Sequence, residues 1–229
     1  MKRSEINAAI RRAEKLFARH DFRLPPWGAW SPEQWRAKSP EDMREIVECG
    51  LGWDVTDFGK GAFESTGLLL FTLRNGCPAA AQHTYAEKIM MVGEGQLTPL
   101  HFHWNKTEDI IVRGGGKLVV ELFQSDADEA PTDGSVSVRT DGVRRTVQGG
   151  ESIVLAPGES ITLIPKVYHR FYGLSGSGDV LVGEVSAVND DDTDNRFAEP
   201  LGRFPEIEED EEPYRLLVKD YRTIWDESR

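Results

Sequence analysis

Between residues 67 and 188 the chain is a succession of short runs rich in Val, Ile, Leu, Phe and Thr, each closed by glycine or a polar turn. The runs fall at 67–73, 84–92, 109–113, 117–123, 135–139, 143–147, 152–155, 161–165, 169–173 and 179–188. Many short strands at such close spacing predict a β-sandwich or barrel. The clearest hairpin is at Thr140-Asp141-Gly142, an Asp-Gly turn between two β-branched runs.

Residues 1–66 read differently, mainly as helix. After Ser4, which suits a cap, Ile6, Ala9, Ile10, Ala13, Leu16 and Phe17 recur at helical spacing and define an apolar face that must pack on something. Ser31-Pro32-Glu33-Gln34 and Ser39-Pro40-Glu41-Asp42 each combine a capping hydroxyl, proline at the first helical position and acidic or amide side chains in the first turn. Between these and the first helix, Pro25, Pro26 and Trp27 form a stiff loop whose tryptophan is expected to pack. Past Val188, residues 189–196 are polar, 206–212 read as a solvated acidic loop, and 213–225 carry Leu216, Leu217, Tyr221, Ile224 and Trp225 as a closing helix. With no repeat or low-complexity linker, the expectation is one domain: 1–66 mainly helical, 67–188 the barrel, 189–229 a loop and closing helix.

Charge narrows the function. Acidic side chains number 39 against 27 basic ones, a net charge of -12, which repels phosphate backbones and anionic lipid. Neither nucleic acid nor membrane is an expected partner. No stretch has the apolar length to span a bilayer, and MKRSEINAAIRR lacks an apolar run behind its charges, so an unexported protein is expected. Cys49 and Cys77 lie far apart with no CxxC or His-rich neighbourhood, which predicts free thiols and a cytoplasmic location.

The chemistry concentrates between Gly95 and Glu108. In an extended chain, residues two apart share a face, so His101 and His103 aim two imidazoles at one point while Phe102 turns away. Glu108, past a short turn, can return a carboxylate there, and His169 offers a third imidazole at the start of a later strand. Three nitrogens and one carboxylate form a site of intermediate hardness suited to manganese, iron, cobalt, nickel or zinc, with positions left for water or substrate. His20, at a helix end and expected to be solvated, and His83, without an obvious partner, are not candidates.

The spacing G-x5-H-x-H-x4-E-x6-G from Gly95 to Gly115 resembles the first motif of the cupin superfamily, and Pro165 with His169 resembles the second. The second motif departs from P-x-G-x2-H: only three residues separate Pro165 from His169, and the glycine is missing. The resemblance implies a jelly-roll β-barrel with amino-terminal helices and a carboxy-terminal helix. More narrowly, the segments 85–91, 96–103, 183–191 and 194–197 resemble bacterial D-lyxose ketol-isomerases over most of the chain. That implies a manganese-dependent homodimer interconverting D-lyxose with D-xylulose and D-mannose with D-fructose, with the apolar amino-terminal segment as a reasonable interface.

Isomerisation of an aldose needs a Lewis acid on the adjacent oxygens and, for proton transfer, a base. Lys88 and Glu184 are the candidates, each on a predicted strand among apolar neighbours, with the roles of base and oxyanion partner interchangeable. Alternatively they form an ion pair with each other or lie on the outer face. Asp190, Asp194 and Arg196 suit hydrogen bonding to distal hydroxyls, or else cap a loop or meet another subunit. Two rival functions share the ligands: an oxygen-using cupin dioxygenase, and a non-catalytic sugar-binding cupin with a structural metal. Buried Lys88 and Glu184 beside the metal favour catalysis, an apolar pocket the dioxygenase.

Overall fold

A computed structural model describes residues 1–77, 82–188, 193–202 and 206–225. Helix α1 (Arg3–Arg19) buries the face formed by Ile6, Ala9, Ile10, Ala13, Leu16 and Phe17. Its start is two residues earlier than Ser4 as a cap would set it: the Lys2 amide donates to Glu5 Oε2 at 2.8 Å, and Ser4 instead donates through Oγ to Asp210 at 2.7 Å. A 3₁₀ turn, Pro26–Ala29, lays Trp27 on Phe71 with ring centroids 4.9 Å apart, the packing role expected of it. Helix α2 (Pro32–Arg36) is capped as the sequence predicts, the Gln34 amide donating to Ser31 Oγ at 3.3 Å. Ser39 does not do the same. The chain from Ser39 makes an irregular turn, and α3 (Arg44–Glu48) begins only after Met43, without a side-chain cap.

Strand β1 (Gly52–Thr56) lies inside the segment read as mainly helical. There follow β2 (Leu68–Arg74), β3 (Tyr85–Val92), β4 (Leu97–His103), β5 (Glu108–Gly115), β6 (Leu118–Ser125), β7 (Pro131–Thr132), β8 (Ser135–Thr140), β9 (Val143–Gln148), β10 (Ser152–Leu155), β11 (Ser160–Leu163), β12 (Val167–Gly173), β13 (Val180–Ala187) and β14 (Asn195–Phe197). One sheet runs β1-β2-β3-β13-β5-β11-β8-β9 and the other β10-β6-β12-β4-β14. Within them, β3-β13-β5-β11 faces β10-β6-β12-β4. That interleaving of antiparallel strands is the jelly-roll barrel. The Asp-Gly hairpin joins β8 to β9, with Thr140 opposite Val143 and both turn residues at positive φ.

Alternation along the strands divides the apolar residues between two cores. Leu70, Met90, Val92, Ile110, Val112, Leu122, Phe171, Val180 and Val182 fill the barrel interior, while Leu69, Phe71, Ile89, Met91 and Leu181 point outward against α1. Each fully buried aliphatic side chain of this kind is worth about 1.5–3 kcal/mol. The apolar face of α1 is therefore buried against its own barrel.

Two further expectations are corrected and one is refined. The segment 213–225 is no continuous helix: Leu217 pairs with Trp53 in an extended bridge, and only a 3₁₀ turn (Val218–Asp220) and α4 (Tyr221–Ile224) are helical. Its apolar side chains do dock, Tyr221 donating to the Leu51 carbonyl at 3.0 Å. The acidic run is an exposed loop, as expected, but it is anchored to α1. Glu209 pairs with the buried Arg3 at 2.7 Å, and Asp210 and Glu211 accept from Ser4 and Asn7, which sets carboxylates at the positive end of the α1 dipole. Finally, Cys49 and Cys77 are joined by a disulfide across a Cα–Cα distance of 5.0 Å, so they are not free thiols and give no support to a reducing compartment.

Candidate metal centre and its charged wall

Strand β4 delivers His101 and His103 to the barrel interior, and β12 places His169 directly opposite His101. Their ligating nitrogens lie within 4.8 Å of one another, all buried. Phe102, between the two β4 histidines, faces outward against Tyr168 with centroids 4.7 Å apart.

Each ring is oriented by a main-chain carbonyl. His101 Nδ1 lies 2.7 Å from the Pro99 oxygen, His103 Nδ1 3.1 Å from that of Asp194, and His169 Nδ1 3.1 Å from that of Val167. A carbonyl only accepts, so each ring holds its proton on Nδ1 and turns a bare Nε2 toward the centre. Glu108, the first residue of β5, completes the group, its Oε1 standing 3.4 Å from His103 Nε2 and 3.1 Å from His169 Nε2.

The protonation states suit ligands. Burial pushes His101 well below the ordinary histidine range, aided by the neighbouring imidazoles, and burial lowers His103 likewise. Burial acts to raise the Glu108 carboxyl, but the Lys106 ammonium and His103 outweigh it and hold the group well below the usual carboxylate range. Neutral imidazoles and an ionised carboxylate are the forms that bind a divalent ion. His169 Nε2 is also buried without a hydrogen bond, an orphan that a metal ion would satisfy.

The missing glycine of the second motif has a structural answer. Lys166, three residues before His169 where the motif has glycine, adopts φ +65°, the left-handed conformation glycine would take freely. The turn into β12 is therefore kept, and His169 joins the other three.

Lys88 and Glu184 are both buried on the barrel interior, directly opposite each other on β3 and β13, with Lys88 Nζ 3.3 Å from Glu184 Oε1. They are thus an ion pair and members of the site's wall at once. A third charge, absent from the sequence reading, connects them to the candidate ligand group. The buried Lys106 Nζ lies 3.0 Å from Glu184 Oε1 and 2.7 Å from Glu108 Oε2, so Lys88, Glu184, Lys106 and Glu108 alternate in sign along one wall. In sequence Lys106 sits in the polar turn Asn105-Lys106-Thr107, which looks solvated; its nearness to Glu108 was the only available signal.

Asp194 builds that turn. Its Oδ1 accepts from the Asn105 amide at 2.9 Å and its Oδ2 from the Lys106 amide at 3.1 Å, while its carbonyl orients His103. Of the sequence's alternatives for Asp194, the structure displays loop capping. Arg196 pairs with Phe102 across β14 and β4 and therefore shares the outward face, where its Nε reaches Glu129 Oε2 at 3.4 Å; it does not enter this site. Asp190 lies outside the described residues. His20 is half-buried over Gly114 rather than solvated, and His83 stacks beside Tyr85, both away from the centre.

A jelly-roll barrel with three inward imidazoles and a glutamate at this spacing is a cupin with a mononuclear metal-type centre. The sequence profile of the D-lyxose isomerase family matches residues 1–221, and the chain belongs to that family, whose members are intramolecular oxidoreductases acting on sugars. It is 51% identical over 223 residues to a D-lyxose/D-mannose isomerase of Serratia proteamaculans, covering 96% of this chain and 98% of that one. It is 49% identical over 224 residues to a protein of the same description from Escherichia coli O157:H7, covering 97% and 99%. Among solved structures, L-ribose isomerase of Cellulomonas parahominis with L-ribose shares the fold, with a TM-score of 0.55 and 17% identity over 88% of this chain and 94% of that one. No helix among the described residues is long and apolar enough to cross a membrane.

Proposed function

We propose that the chain interconverts D-lyxose with D-xylulose and D-mannose with D-fructose, using a divalent ion, manganese first, held by His101, His103, Glu108 and His169. The carrying observation is Glu184, buried on the inner wall and linked through Lys106 to the ligand Glu108. Buried charges of this kind serve proton transfer, and they replace the apolar pocket a dioxygenase would favour. When bound, the ion supplies Lewis acidity to the oxygens on C1 and C2 of the open-chain sugar.

The chain's own residues complete the reaction. The Glu184 carboxylate removes the proton from C2 while the Lys88 ammonium protonates the developing oxyanion on O1, which gives an enediol. Lys88 then takes the O2 proton as the C2 carbonyl forms, and Glu184 returns its proton to C1, so protons and electron pairs balance. Lys106 holds Glu184 and Glu108 apart in fixed geometry. Support for a homodimer comes from the family likeness and from exposed Tyr85, Val185 and Val188 on the outer face around β3 and β13. The test is ketose formation from D-lyxose and D-mannose by EDTA-stripped protein refilled with manganese, with His103→Ala as control. Turnover requiring both metal and His103 is expected; tight metal binding without turnover of either sugar overturns the isomerase.

A further inference from the structure

The inner face of β13 carries, after Val180 and Val182, Glu184 and then Ser186. Ser186 is paired on one side with Glu108, the metal-type ligand, and on the other with Ala86, whose methyl offers no hydrogen bond. Its hydroxyl is buried and makes no hydrogen bond. Among the described residues Thr98 and Thr140 have similarly unpaired hydroxyls, but they stand opposite Phe171 and Ile161 in the apolar core. Ser186 differs in facing a ligand carboxylate, one step along the strand from Glu184. Leaving a buried hydroxyl unpaired is costly, and alanine fits the same strand position without that cost. A donor kept there is understandable when something arrives to use it.

We propose that the Ser186 hydroxyl donates a hydrogen bond to the sugar hydroxyl at C3, C4 or C5, beside the reacting carbons, and so selects a polyhydroxylated chain. This assignment rests on the sugar-isomerase reading. A site built to pair with a substrate hydroxyl discriminates against analogues that lack it, because the protein group is then left buried and unpaired.

The experiment compares wild type with Ser186→Ala, both manganese-loaded, in two measurements. Calorimetric titration with D-arabinitol, the non-isomerisable polyol obtained by reducing D-lyxose, reports binding without chemistry. Steady-state kinetics on D-lyxose and its 3-, 4- and 5-deoxy forms locate the bond. The variant is expected to keep its unfolding midpoint and metal content, to bind D-arabinitol roughly tenfold more weakly, and to lose a similar factor in kcat/KM on D-lyxose. One deoxy sugar should be handled equally by both proteins. Equal D-arabinitol affinity in the two proteins, the same loss against every deoxy sugar, or no D-arabinitol binding by wild type overturns the assignment. If wild type turns over no aldose yet Ser186→Ala still weakens D-arabinitol binding, the isomerase reading falls and the hydroxyl contact stands.

Discussion

His169 Nε2 and Glu108 Oε1 stand 3.1 Å apart inside the barrel, two acceptors facing each other, with the imidazole proton committed to the Val167 carbonyl on the far side of the ring. Two lone pairs at that distance repel unless a cation lies between or beside them. Manganese should therefore stabilise the fold by simple linkage, about 2.7 kcal/mol at a hundredfold excess over its dissociation constant. Glu108→Gln should remove most of that gain. Differential scanning calorimetry with and without the ion decides it: an unchanged midpoint in wild type would contradict the assigned ligands.

Lys106 joins two buried carboxylates, so removing its charge should cost more than removing either partner's chemistry alone. Lys106→Met is expected to destabilise the fold by about 3 kcal/mol, because Glu108 and Glu184 are left buried and facing each other. Glu184→Gln keeps volume and one hydrogen bond, and is expected to fold normally while kcat falls by roughly 10²–10⁴. Denaturant unfolding alongside ketose formation separates the two effects. A Glu184→Gln enzyme with wild-type kcat would remove Glu184 from the chemistry.

The left-handed Lys166 predicts the opposite sign. Glycine takes φ +65° without a Cβ clash, at the cost of a more flexible unfolded chain, so Lys166→Gly should stabilise by about 0.5 kcal/mol, on the order of 1–2 °C. The exposed contact from Lys166 to Glu129 subtracts little. A clear drop in the midpoint would mean that the turn depends on the lysine side chain.

What was legible in the sequence was what depends on neighbours along the chain. The strand run at 135–139, the Asp-Gly hairpin and the His101–His103 spacing are local patterns, and each has its expected structure. What was hidden depends on partners far away. Lys106 looks like a solvated turn lysine until β13 brings Glu184 to it, and Arg196 faces outward only because β14 pairs in register with Phe102. The acidic strap at 206–212 reads as loop because its partners, Arg3, Ser4 and Asn7, are about 200 residues earlier. A segment that is extended yet well anchored has no periodicity to betray it.

Cys49 and Cys77 belong to that second group, and their pairing has a measurable consequence. The disulfide closes a loop with a sequence separation of 28 and ties the chain just past β2 to the end of α3, where Cys49 and Leu51 are packed by Trp27 and Ile46. Cross-linking over such a loop restricts the unfolded chain by about 3.5 kcal/mol, which for a domain of this size is on the order of 7–14 °C. Thermal unfolding should therefore fall by that amount when excess dithiothreitol is added, and Cys49→Ala/Cys77→Ala should match the reduced protein and ignore the reductant. Because Thr72 of β2 pairs with Lys88, the reduced protein tests coupling to the site as well. A fall in midpoint with unchanged kinetics on D-lyxose would make the bond a clamp on the outer layer alone. A parallel rise in KM would mean that anchoring β2 also holds the wall that carries Lys88.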